Sequence, residues 1–208
     1  IRTLHNLDIF TIGDLANTDV NILCQHLKKH GEDMWKSANG LDDALVIAEQ
    51  PANKGYGNSV TLSSDVNDAE TATMILLSLC ETVGARLRAD QAHIGVVSVS
   101  IVDTSFHKTS KQTTLNTTTD ITEVIYETAC SLFHELWTGE PIRLLGVHTS
   151  KATSDTFIQY DMFDADKNEK LSKLNSAIDE IRNRYGDESV KRARFLESGH
   201  KHMRDGLS

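Results

Sequence analysis

Two Pro and three Cys in 208 residues leave this chain with almost no covalent or ring-imposed bracing. Cys24, Cys80 and Cys130 are odd in number and far apart, without the Cys-x-x-Cys or Cys/His rhythm of a metal site, and are expected to be buried free thiols in a reducing compartment. No apolar run approaches the roughly 20 residues that a bilayer span needs, so no membrane partner is expected. Aromatic residues are also sparse, at 6%. The opening Ile1-Arg2-Thr3-Leu4 has no initiator Met, basic leader or small-residue cleavage site, and is expected to be the start of a piece cut from a longer chain. With 39% apolar and 25% charged residues, wholesale disorder is excluded, and the length accommodates one large domain or two small ones.

The first 50 residues show helical patches and no strand-like alternation. Thr11 to Ala16 forms a capped turn, and Asp19 caps a second helix in which Ile22, Leu23 and Leu27 share a face before Gly31. Met34 to Ala38 forms a third patch, stopped by Asn39-Gly40. Gln50 to Gly55 has the Pro/Gly texture of a linker.

Beyond it, Asn58 to Ser63 alternates polar with apolar, the mark of a strand with one buried face. A helix follows on Ala72, Ile75, Leu76, Leu79, Val83 and Leu87, and a strand on Val97, Val99 and Ile101. Polar Thr109 to Leu115 supplies a third strand. A second helix runs from Ile121 to Leu136, and Pro141 to Ser150 closes the unit as a fourth strand. The order β-α-β-β-α-β predicts an α+β fold with two helices on one face of a four-stranded sheet. Ser59, Thr61, Ser63, Ser98 and Ser100 are expected on the uncovered face.

The net charge of −9 argues against a polyanion partner only if it is spread evenly, and it is not. The strand segments carry Lys54, Lys108, Lys111, Arg143 and Lys151 against Asp103 alone, whereas residues 117–140 hold five acidic side chains and no Lys or Arg. A docked polyanion responds mainly to charges within a Debye length, about 10 Å. From residue 164 the chain is charged and helical, with Leu171, Leu174, Ile178, Ile181 and Tyr185 at three- and four-residue spacing before Gly186. About two heptads are too few for a coiled coil, so this stripe is expected to pack on its own domain and the chain to be monomeric.

Four ordered stretches carry a family resemblance: residues 7–16, Trp35 to Asp42, Lys54-Gly-Tyr-Gly-Asn-Ser-Val-Thr-Leu, and the pair Lys108-Thr-Ser-Lys-Gln-Thr-Thr-Leu and Ile142-Arg-Leu-Leu-Gly-Val-His-Thr-Ser. Together they resemble the C-terminal part of a Y-family translesion DNA polymerase of the DNA polymerase IV type. The resemblance implies a partial thumb with helix-hairpin-helix character at 1–50 and a little finger domain at 51–157. It also implies a clamp-binding peptide at 158–163 and a helical extension at 164–208. It implies a cytoplasmic protein whose little finger grips primer-template DNA through phosphates, without base readout.

Matched positions make Lys54, Lys108, Lys111 and Arg143 phosphate neutralisers, with Ser59, Thr61, Ser110, Gln112 and Thr113 as hydrogen-bond donors. The family commonly places Arg where Lys108 and Lys111 stand, and Lys offers a point charge in place of a bidentate fork. Gln159-Tyr-Asp-Met162-Phe163 resembles the peptide that docks bacterial polymerases on the sliding clamp, with Gln159 orienting and Met162 and Phe163 filling an apolar pocket. The bland alternative is a loop whose Met162 and Phe163 are buried in their own domain.

Polymerase chemistry requires palm carboxylates and Mg2+, and no matching acidic group is found here, so this portion alone is expected to be inactive and free of cofactor. His200 and His202 do not read as a specific metal site. The competing reading is a split βαβ RNA-binding or protein-interaction module; RNA-reading sheets carry exposed aromatics, and the alternating polar positions here have none.

Overall fold

The computed structural model describes residues 2–42, 52–154 and 165–195. The chain divides into two units, Ile1–Pro51 and Ala52–Ser208.

The first unit holds four helices: α1 (Arg2–His5), α2 (Ile12–Asn17), α3 (Val20–Leu27) and α4 (Lys29–Ala38). The cap on α2 is a reciprocal box, in which Asp14 N–H donates to Thr11 Oγ1 at 3.0 Å and Thr11 N–H donates to Asp14 Oδ2 at 2.9 Å. Asp19 caps α3 by accepting from Asn21 N–H at 2.8 Å. The break between α3 and α4 comes at Lys28, with φ of 53°, and Gly31 lies inside α4, where a Cβ would stand 2.5 Å from the Leu23 carbonyl oxygen. The glycine there permits close helix-helix approach. Ile9, Leu15 and Leu23 form the small core.

The second unit contains β1 (Gly57–Val66), α5 (Ala69–Ala89), β2 (Ile94–Asp103), β3 (Lys108–Thr119), α6 (Thr122–Leu136), β4 (Ile142–Ser150) and α7 (Ala165–Tyr185), followed by two short 3-10 turns. The strands run in the order β1-β4-β2-β3 with every neighbouring pair antiparallel. Each helical crossover therefore skips one strand, as in a split βαβ arrangement. Asp68 caps α5 by accepting from Thr71 N–H at 2.7 Å. Val97, Val99, Leu145 and Val147 from the central strands pack with Leu76, Leu79, Val83, Ile125 and Phe133 from α5 and α6 in one core. Both helices bury the same side of the sheet, which is the α+β architecture that the alternation predicts. Cys80 is buried, while Cys24 and Cys130 are only partly so; all three are free thiols.

The helix α7 forms a third layer and docks through a mixed face, on which Leu171 and Ile178 are half-buried beside two buried polar residues. Leu174, Ile181 and Tyr185 are exposed, at 51%, 40% and 66%, against the expectation that this apolar stripe packs on the domain. The buried residues of α7 are instead Asn175 and Arg182. Arg182 Nη2 donates to the buried Glu81 of α5 at 3.2 Å, and Arg192 contributes a second guanidinium to the same carboxylate. Arg192 also donates to Glu123 of α6 at 2.6 Å, with Asn175 on the other oxygen at 2.7 Å. Arg88 of α5 grips Asp179 of α7 through two nitrogens. No periodicity signal marks such a network, because its partners lie 52 to 111 residues apart.

Removing the carboxylate from beneath two guanidiniums leaves uncompensated buried charge. Glu81→Ala is expected to cost about 3 kcal/mol in urea unfolding, with α7 amides losing hydrogen-exchange protection first. Burial raises the Glu123 carboxyl, but the hydrogen bonds from Arg192 and Asn175 outweigh it and hold the group below the usual glutamate range. Its contribution to docking is therefore complete above the ordinary glutamate pKa and is lost as pH falls below it, through the lowered folded-state value. Amide exchange of α7 across an acid titration checks that window.

Candidate nucleic-acid interface

Directly opposed residues on antiparallel strands share a face, so the pairing register sorts every side chain. Val60–Leu145–Ile101–Thr109 and Asn58–Val147–Val99–Lys111 are rows that face the helices. The rows between them form the uncovered face: Thr61–Leu144–Val102–Lys108, then Ser59–Gly146–Ser100–Ser110, then Gly57–His148–Ser98–Gln112. Ser59, Thr61, Lys108, Ser110, Gln112 and His148 are exposed there. The centre of this face is built from serines and glycines, so a ligand meets hydroxyls and peptide backbone with few bulky side chains between. No Phe, Tyr or Trp stands in these rows.

The sequence-derived candidates divide accordingly. Ser59, Thr61, Lys108, Ser110 and Gln112 lie together on the open face. Lys111 and Thr113 do not: their partners Val99 and Val97 point into the core, and Lys111 is ion-paired to Glu135 of α6 at 2.6 Å. The structure therefore places these two on the helix side of the edge strand β3. Arg143 is the extra residue of a bulge between Ile142 and Leu144, with its guanidinium 4.9 Å from the centre of the Phe106 ring in the β2–β3 turn. Lys54 precedes β1, where its carbonyl accepts from Ala152 N–H, beside the end of β4 that carries Lys151. Cations thus stand at both ends of the sheet, Arg143 near the start of β4 and Lys151 just past its end, eight residue steps or about 25 Å apart. Gln159, Met162 and Phe163 fall outside the described residues.

His148 was absent from the sequence-derived set although alternation with Leu145 and Val147 points it outward. Its imidazole lies between two glycines: a Cβ on Gly57 would stand 2.4 Å from Nδ1, and one on Gly146 would stand 3.2 Å from Nε2. Partial burial, and secondarily the Lys108 charge, hold its pKa below the ordinary histidine value. Among the described residues no group of three or more His, Cys, Asp and Glu side chains is arranged to hold a metal.

Residues 53–162, which include the whole sheet and both covering helices, match the family model described as the impB/mucB/samB family C-terminal domain. The chain belongs to the impB/mucB/samB family. It is 38% identical over 96% of its length to DNA polymerase IV of Clostridium acetobutylicum and 36% identical over 94% to DNA polymerase IV of Acetivibrio thermocellus. A further relative at 33% identity is DNA polymerase IV 2 of Bacillus subtilis. The chain spans about half the length of these curated relatives. The matched segment ends before α7.

Titration of His148 followed by NMR is expected to give a midpoint below that of a free histidine, and Lys108→Gln should move it part of the way back up. An unchanged midpoint in that variant would remove Lys108 as a neighbour in charge.

Proposed function

We propose that this chain is the DNA-gripping and clamp-docking portion of an error-prone translesion DNA polymerase that serves damage tolerance. The observation that carries the reading is the uncovered sheet face itself. A four-stranded layer with a complete core on one side and exposed Ser, Thr, Gln and Lys on the other has no structural reason to leave that face bare. Its hydroxyls and amide suit phosphate oxygens, and the edge strand β3 directs alternate peptide N–H groups outward. Cations at both ends with small polar residues between them suit contacts with phosphates along a duplex backbone. Contacts of this kind carry no base information, as an enzyme working on damaged templates requires. The absence of stacking aromatics in the paired rows speaks against single-stranded RNA.

In the whole enzyme, nucleotidyl transfer with Mg2+ would be the work of residues outside this chain; the part described here would hold primer-template in place. Residues 158–163 would dock the polymerase on the bacterial sliding clamp, with Gln159 orienting and Met162 and Phe163 as anchors. A chromosomal substrate in a bacterium makes the cytoplasm the workplace.

Fluorescence anisotropy with labelled primer-template duplex is expected to show affinity falling as salt rises. Lys108→Ala should weaken binding severalfold and reduce the salt slope by about 0.9, whereas Lys111→Ala, which faces α6, should change it by less than twofold. Equal effects of the two substitutions would refute the open-face assignment. Replacing Met162 and Phe163 with Ala should abolish clamp pulldown and leave duplex affinity intact; retained clamp binding would end the docking claim.

A further inference from the structure

We propose that His148 is a DNA-contacting residue that takes up a proton as phosphate docks on the sheet, so that the grip tightens as pH falls. This rests on the DNA reading above and adds to it a residue and a proton. His148 occupies the middle of the open face on the central strand β4, paired with Ser98 on one side and Gly57 on the other. Gly57 and Gly146 flank its ring closely, so the imidazole lies against the sheet at a level that a phosphate reaching Ser59 or Ser98 also reaches.

The charge around it is one-sided. From β1 it faces Gly57 and Ser59, from β2 Ser98 and Ser100, and from β3 Ser110, Gln112 and Lys108. Lys108 is the sole charged neighbour in these paired rows, and it is a cation. Without ligand, no carboxylate in the rows holds a proton on the ring, and the neutral imidazole predominates at pH 7, consistent with its lowered pKa. A phosphate within hydrogen-bond distance reverses the sign of the local field. The ring then gains a proton from solvent at whichever nitrogen was unprotonated and presents two N–H donors, one directed at a phosphate oxygen. Because bound DNA raises the pKa, affinity must rise as pH falls through the bound-state value and level off below the free-state value.

The test is duplex affinity of the full 208-residue chain between pH 5.5 and 8.5 at constant ionic strength. Wild type is expected to bind at least fivefold more tightly at pH 6 than at pH 8. His148→Gln should flatten the dependence to within twofold, and His148→Arg should bind at pH 8 about as tightly as wild type at pH 6. Circular dichroism confirms that each variant is folded, and the exposed position of the side chain makes both substitutions tolerable. Retention of the wild-type pH dependence in His148→Gln, or a flat wild-type profile with firm binding, overturns the role of His148 while leaving the DNA reading standing. Absence of duplex binding at every pH overturns both.

Discussion

Burial of one face, and only one, governs this domain. The alternate apolar residues of β2 and β4 commit one side of the sheet to α5 and α6, and the period of two then obliges every intervening residue to face the other way. That constraint is energetic before it is functional: a slip of one residue would put Val97, Val99, Leu145 and Val147 into water, at roughly 1.5 to 3 kcal/mol each. The open face inherits its composition from whatever stands between those anchors. Serine and glycine there add little to the core, so their presence is free to serve a ligand. The same parity separates Lys108 from Lys111. Three residues apart on a regular strand, they are forced to opposite faces, one beside the hydroxyls and the other against Glu135.

Much of this was legible in the sequence, and the exceptions have physical causes. Strands with strong alternation, such as the segment around Val97 and Val99, declared both their existence and their faces. The polar strand β3 declared neither well, because Thr, Ser, Lys and Gln look alike on both sides. Leu115 was the available signal: it packs against the core and shares parity with Lys111 and Thr113, which assigns all three to the helix side. Family resemblance grouped Lys108 to Thr113 as a block, whereas the pleat divides them. His148 was overlooked for the converse reason. It follows Val147 in a strand read mainly for its apolar members, although alternation alone turns it outward.

The tail shows a different limit. Helical spacing located α7 and its end at Gly186, where φ is 93°, but the apolar stripe is only half right: Leu171 and Ile178 are half-buried while Leu174, Ile181 and Tyr185 are exposed. Ionic pairing outweighed the apolar stripe because Glu81 already lies inside the helix layer. A buried carboxylate without partners would cost more than exposing Leu174 and Ile181 forfeits. Two guanidiniums, one from α7 and one from beyond it, cover that carboxylate, and Arg88 reaches back from α5 to Asp179. Such a network fixes orientation more than it stabilises, since every member needs its partners in place at once.

These two layers of charge clarify how an acidic chain can present a face suited to phosphate. The acidic residues Glu81, Glu123 and Glu135 are held by Arg182, Arg192 and Lys111, so much of the negative charge near the sheet is already paired on the helix side. Within the paired rows the open face carries only Lys108 and the titratable His148. A weakly charged, hydroxyl-rich surface of this kind gains specificity for a backbone over a bare anion from the number and spacing of its donors, since its charge density is low. With few fixed charges it would exchange fewer counterions per encounter than a densely cationic patch, and so would release a polyanion more readily. On the proposed DNA reading, proton uptake at His148 on contact would supplement those charges and reconcile grip with movement along a duplex.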